Sequence, residues 1–123
     1  MNDRFKFRYF YDGKLYDVLS IDFRRKNIDF KKDEMTLIHL ESEFNDKNLI
    51  QCTGLKDKNG KLIYEGDILK SSRGNTRVDF DNIEACFGVS NFLTVTPFAV
   101  LLNQEWEVIG NIYENKELLD ERN

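Results

Sequence analysis

Hydrophobic and polar residues alternate most clearly at the start of the chain. Phe5, Phe7, Tyr9 and Tyr11 alternate with Arg4, Lys6, Arg8 and Phe10. This is the two-residue period of a strand with one aromatic face and one mostly basic face. Asp12-Gly13 follows, a pair that readily takes the positive backbone angles of a two-residue hairpin turn. Leu15, Leu19, Ile21 and Phe23 resume beyond it, with Tyr16 and Val18 on the opposite side and Asp17 interrupting the apolar face. The pattern predicts an opening β-hairpin.

Short apolar runs separated by polar breaks continue the theme. "RRKN" at 24–27 and "KKDE" at 31–34 flank Ile28 and Phe30, and "TLIHL" at 36–40 reads as a strand. A helix over 33–47 competes less well, because its flanks lack an apolar repeat at helical spacing. "LIQCTGL" opens a central stretch in which Asn59-Gly60 is the strongest turn signal. Leu62, Ile63 and Tyr64 lead to a sharp bend at Glu65-Gly66-Asp67, where Gly66 takes angles a Cβ would forbid and Asp67 has exposed backbone amides within reach. "DILK", a polar turn around Gly74 and "TRVDF" extend the series. Beyond residue 81 an irregular or short helical piece and then a strand within "DNIEACFGVSNFLTVT", a strand at 98–102, a turn at 103–105 and a final strand "WEVIGNIY" with a bulge at Gly110 are expected. Pro97 argues against a central-strand position there. "NKELLDERN" predicts one helical turn capped by Asn115. The predicted fold class is mainly β: a single domain over 1–123, with long hairpins, a short C-terminal helical turn, and a small antiparallel barrel, SH3-like or related, around residues 49–80.

Composition changes the picture in two ways. With 123 residues, including ten Phe, five Tyr and one Trp, the chain can bury a core of its own without disulfides or a structural metal. The net charge of −4 is uneven: residues 1–80 carry +2 and residues 81–123 carry −6. An acidic total works against non-specific attraction to nucleic acid, although a basic face on the first part persists. No apolar run nears the roughly 20 residues a membrane-spanning helix needs, and "MNDRFKFRYF" is not built like a signal peptide. Cytoplasmic residence without membrane attachment is the expectation. Cys52 and Cys86 then read as reduced, core-filling thiols.

Candidate chemistry is sparse. Asp57-Lys58-Asn59-Gly60 begins like a calcium loop, but Lys61, Leu62 and Ile68 stand where oxygen ligands, glycine and glutamate are required. His39 is the single histidine, and neither cysteine lies in a nucleophile setting that would use it. Two cysteines and one histidine lack the close pair of a zinc site. Glu65 and Asp67 read as a solvated bend, and the glycines are scattered turn residues rather than a phosphate-cradling loop. No catalytic, cofactor-binding or metal-binding residue is therefore assigned. Arg4, Lys6, Arg8 and Phe10 are the candidate partner-binding residues. Asp12, Gly13, Asn59, Gly60, Gly66 and Asp67 are the structural turn positions.

Three blocks carry a family pattern. "QCTGLKDKNGKLIYEGDILK" at 51–70, "WEVIGNIYENKELL" at 106–119 and "KFRYFYDGKLYDV" at 6–18 together resemble the YopX family of phage and prophage proteins. Cys52 stands where that family often has an aromatic residue, and Lys116 where proline is usual. The resemblance implies a mainly β fold and an origin in a mobile element, and it implies no reaction and no catalytic residues. Two binding functions stay open. One is a non-catalytic protein interaction module that self-associates, motivated by apolar residues on both faces of the first hairpin (Phe10, Tyr16 and Val18 opposing the main stripe). The other is a nucleic-acid-binding small barrel using the basic residues with Tyr9, Phe10 and Tyr11 for stacking.

Overall fold

The computed structural model describes residues 5–42, 45–71, 74–82, 85–90, 95–98 and 105–120. Within them run β1 (Phe7–Tyr11), β2 (Lys14–Asp22), β3 (Asn27–Asp33), β4 (Thr36–Leu40), β5 (Leu49–Lys56), β6 (Leu62–Tyr64), β7 (Asp67–Ser71), β8 (Gly74–Asp81), β9 (Cys86–Ser90), β10 (Val95–Pro97), β11 (Glu107–Asn111) and the helical turn α1 (Glu117–Asp120). The fold is mainly β and antiparallel. One sheet has the order β4-β3-β2-β1-β5-β6 and the other β10-β9-β8-β7-β11. Among the described residues neither sheet closes on itself. The chain leaves the first sheet at the Gly66 bend, and β7 pairs with β8 and β11 instead of continuing from β6. Among the described residues no helix is long and apolar enough to cross a membrane.

Turn chemistry sets the registers. Tyr11 faces Lys14 across a two-residue turn in which Asp12 (φ 49°) and Gly13 (φ 85°) both take positive φ. Asn59-Gly60 is built differently. Gly60 N–H donates to Asp57 C=O, Asp57 N–H donates to Lys61 C=O, and only Gly60 is left-handed. The turn therefore runs through Lys58-Asn59 and ends in a left-handed glycine, the three-residue hairpin rather than the two-residue form. β11 carries a register shift between Val108 and Gly110, the bulge expected at Gly110. β10 ends in Pro97 at a sheet edge, where a missing N–H is tolerated. The strand expected at 98–102 and the turn at 103–105 fall, apart from Phe98 and Glu105, outside the described residues.

The core forms three clusters. Tyr9, Ile28 and Phe30 are buried on one face of the first sheet, with Tyr11, Tyr16, Val18, Ile21, Ile38, Leu40 and Leu49 around them. Phe30 has three tyrosine rings at 5.3–5.7 Å, those of Tyr9, Tyr11 and Tyr16. The opposite face buries Ile50, Cys52 and Tyr64 with Phe10, Leu15, Leu62 and Tyr113. Tyr16 and Val18 therefore pack with Tyr9, whereas Phe10 packs on the opposite face, so the three residues expected to share a surplus apolar face do not share one. Ile63 of β6 joins Leu69, Val78 and Val89 of the second sheet, while Tyr113, just after β11, returns to the first. These exchanged side chains lock the sheets together.

Candidate functional site

β2 changes partners along its length. Its first half pairs with β1, from Tyr11↔Lys14 to Arg8↔Asp17. Its second half, from Val18 onward, pairs with β3, with a register shift between Val18 and Ser20 that leaves Leu19 as the extra residue. On its other edge β1 pairs with β5 from Tyr9↔Leu49 to Phe7↔Gln51, so Phe7 keeps a register partner only on that side. A bulge bends its strand locally, and the two strands part beyond Arg8 and Asp17. The gap is a cleft of about 780 Å³ lined by Phe5, Lys6, Phe7, Arg8 on one side, Asp17 to Ile21 and Phe23 on the other, and Gly60, Leu62 and Tyr64 at its end.

The cleft combines apolar surface with positive charge. Phe5, Leu19 and Phe23 are each about 60% exposed, unusual for large apolar side chains grouped in one place. The rings of Phe7 and Phe23 meet edge to face at 6.3 Å. The Arg8 guanidinium lies 3.8 Å above the Tyr64 ring centre, and its Nε donates to Asp17 Oδ1 at 3.3 Å. The stacking fixes the direction of Arg8, whereas the ion pair, open to solvent on the Asp17 side, contributes little by itself. Arg24, Arg25 and Lys26 form the β2–β3 turn beside Phe23. Of the predicted partner-binding residues, Lys6 and Arg8 line this cleft. Phe10 does not; its ring packs against Tyr113 at 5.1 Å. Arg4 lies outside the described residues.

Two buried carboxylates brace the structure behind the cleft. Asp57 accepts three backbone N–H groups, from Asn59, Lys61 and Val108, each at 2.9 Å. Burial works to raise its pKa, but these three donors prevail and hold it below the ordinary carboxylate value. Asp67, 2% exposed, accepts from Tyr64 N–H at 2.8 Å, which ties the bend at Gly66 to the residue that Arg8 covers. Burial pushes Asp67 up to about 6 from an ordinary 3.8, with the Tyr64 amide and Arg8 opposing. The folded protein therefore holds this proton more tightly than the unfolded chain. Stability contributed here is full below 3.8, falls as pH rises to about 6, and is flat above. Asp67→Asn keeps an oxygen for Tyr64 and removes the buried charge. It is expected to raise neutral-pH stability by about 2 kcal/mol and to abolish that slope, as read by urea denaturation at a series of pH values.

A polar row that strand patterning does not reveal crosses the outer face of β2, β3 and β4. The Ser20 hydroxyl donates to Asp29 Oδ2 at 2.6 Å, His39 Nδ1 meets Asp29 Oδ1, and His39 Nε2 lies 3.2 Å from Glu41 Oε1. Ser20 first, then His39, hold Asp29 below its usual range. Asp29 first, then Glu41, hold the His39 imidazole above its ordinary value. Three residue types of a hydrolytic triad meet here in the wrong order. Ser20 bonds the carboxylate rather than the imidazole, so His39 is not placed to take its proton. Cys52 is buried and Cys86 half-buried, both as free thiols; His39 lies four strand spacings from Cys52 in the sheet order. Among the described residues no group of three or more His, Cys, Asp or Glu side chains is arranged to hold a metal ion.

Comparison with known proteins agrees with the fold. A crystal structure of protein EF1440 from Enterococcus faecalis superposes with a TM-score of 0.62 at 27% sequence identity, covering 93% of this chain and 96% of that one. No curated protein matches the chain. The family described as YopX protein matches residues 3–120, nearly the whole length, including the β1–β2 hairpin, the Asp57 and Gly66 turns and β11. The chain belongs to the YopX family.

Proposed function

We propose that this chain is a non-catalytic accessory protein of a phage or prophage, acting in the host cytoplasm as a self-associating protein interaction module. Its cleft takes an extended segment of a protein partner that carries apolar and acidic side chains. One observation carries the reading: where β1 and β2 part, Phe5, Leu19 and Phe23 stand exposed beside Lys6 and Arg8 in a single cleft. Apolar rings supply area and cations select the sign of the guest, and the basic turn Arg24 to Lys26 extends the positive field at the mouth. The barrel expected around residues 49–80 belongs to the same proposal. Gly66 donates to Val78 C=O and accepts from Ile112 N–H, which supports a barrel-like corner joining the sheets there.

The alternative is a nucleic acid in the same cleft, stacked on Phe5 and Phe23. The net charge of −4 disfavours it. Leu19→Lys separates the readings, because Leu19 is exposed and its replacement leaves the core intact. Wild type and variant are used as baits in host lysate, with and without nuclease. A polypeptide retained by wild type, lost by the variant at equal thermal stability and indifferent to nuclease supports the proposal. Equal retention by both overturns it. Retention abolished by nuclease, with a salt-sensitive gel shift, transfers the cleft to nucleic acid.

A further inference from the structure

An unpaired strand edge is a template for another chain, and natural sheets protect their edges by shortness, proline, charge or a covering loop. The two sheets here end in β4, β6, β10 and β11. β6 and β10 are three residues long, and β10 carries Pro97. β11 is covered by the Asp57–Lys58 loop: Asp57 accepts from Val108 N–H, and Lys58 N–H donates to Trp106 C=O. Among the described residues β4 has neither a proline nor a covering loop. Its five residues, Thr-Leu-Ile-His-Leu, include no proline, glycine, lysine or arginine, and among the described residues no strand pairs with its far side. Met35 just before it is 93% exposed and Leu37 within it 61%.

We infer that two copies of this chain pair along β4, antiparallel across a two-fold axis, so that two six-stranded sheets become one continuous sheet. The inference rests on the self-association half of the function proposed above and names its seam. A two-fold axis through a shared edge sets identical strands antiparallel. Self-pairing suits this strand because residues 35–39 contain no Asp, Glu, Lys or Arg, so no like charges of these types are opposed. His39 is engaged with Asp29 and Glu41 of its own chain, so both of its ring nitrogens have partners without a second copy. Met35 and Leu37 gain the cover they lack in one copy, and the outward amides and carbonyls of Thr36–Leu40 gain partners.

The test is light scattering after size exclusion over a dilution series, joined to amide exchange of residues 36–40 at high and low protein concentration. The expected result is a dimer mass that dissociates on dilution, with β4 amides protected only in the dimer. Leu37→Lys, placing a charge at an already exposed position, is expected to weaken the dimer by about tenfold or more. A wild-type protein that stays monomeric at every concentration overturns self-association and seam together. A dimer that survives Leu37→Lys, or whose β4 amides exchange identically at both concentrations, overturns the seam alone. β4 amides that slow only on adding a different protein assign the edge to a foreign strand and also overturn it. Amide exchange on wild type decides the matter even if the variant does not fold.

Discussion

Asp57→Ala is expected to lower the unfolding free energy by about 4 kcal/mol, measured by denaturant titration at neutral pH, because it orphans three backbone donors at once. Asn59 and Lys61 N–H share Oδ1, and Val108 N–H takes Oδ2. The first two hold the β5–β6 turn in shape; the third fastens that turn to β11, in the other sheet. Alanine leaves all three amides in a site where the carboxylate itself is only 8% exposed. Asp57→Asn retains one acceptor oxygen and is expected to cost roughly half as much. The acid limb gives a second readout. The folded pKa is depressed, so this carboxylate's contribution is full above the ordinary 3.8 and is lost as pH falls through the folded value. In the alanine variant that part of the acid sensitivity disappears. A loss below about 1 kcal/mol would mean that water replaces the carboxylate and that the two sheets are joined chiefly by other contacts.

Gly66→Ala is expected to cost about 3 kcal/mol, from two sources that a control separates. The backbone at Gly66 sits at φ 85°, where a Cβ costs roughly 1–2 kcal/mol. The added Cβ would also lie 2.7 Å from Tyr113 Cε2 and 3.5 Å from Ile112 Cγ1. Tyr113 cannot easily yield, because its ring is packed on Phe10. Gly13 has the same φ of 85° with nothing within 4 Å of the corresponding Cβ, so Gly13→Ala is expected to show the strain alone, about 1 kcal/mol. Thermal or denaturant unfolding of the two variants side by side measures the crowding as their difference. Equal losses would show that Tyr113 moves aside freely and that the bend is held by its hydrogen bonds to Val78 and Ile112.

Local features were legible because local chemistry controls them. Asp12-Gly13 demands its turn, "TLIHL" coincides with β4, and Gly110 marks the β11 bulge. The β5–β6 turn was located by Asn59-Gly60 but its form was not, because the deciding group is Asp57, whose third partner lies 51 residues downstream. Alternation placed Lys6, Arg8 and Phe10 on one face of β1 but carried no information about what covers that face. Tyr113, arriving from beyond β11, encloses Phe10 and leaves Arg8 at the cleft. The parting of β1 and β2 was unreadable for the same reason. Periodicity reports which way a side chain points, not which neighbour a strand keeps, and the bulge at Leu19 bears no glycine to announce it. The Ser20–Asp29–His39 row likewise exists only once register aligns three strands. Asn115 was expected to cap α1 with its side chain; that oxygen instead accepts from Asn111 N–H at 3.2 Å, while its backbone carbonyl accepts from Leu118 N–H.

A strand that trades one neighbour for another midway leaves a seam in its sheet that is already unzipped. Beyond Arg8 and Asp17 no register pair ties β1 to β2, so a guest lying between them displaces no ladder hydrogen bond. Among the contacts across the entrance are the rings of Phe7 and Phe23, a pair worth about 1 kcal/mol, and the Arg8–Asp17 hydrogen bond. The sheet thus keeps an opening bounded by the start of β1 on one side and the second half of β2 on the other.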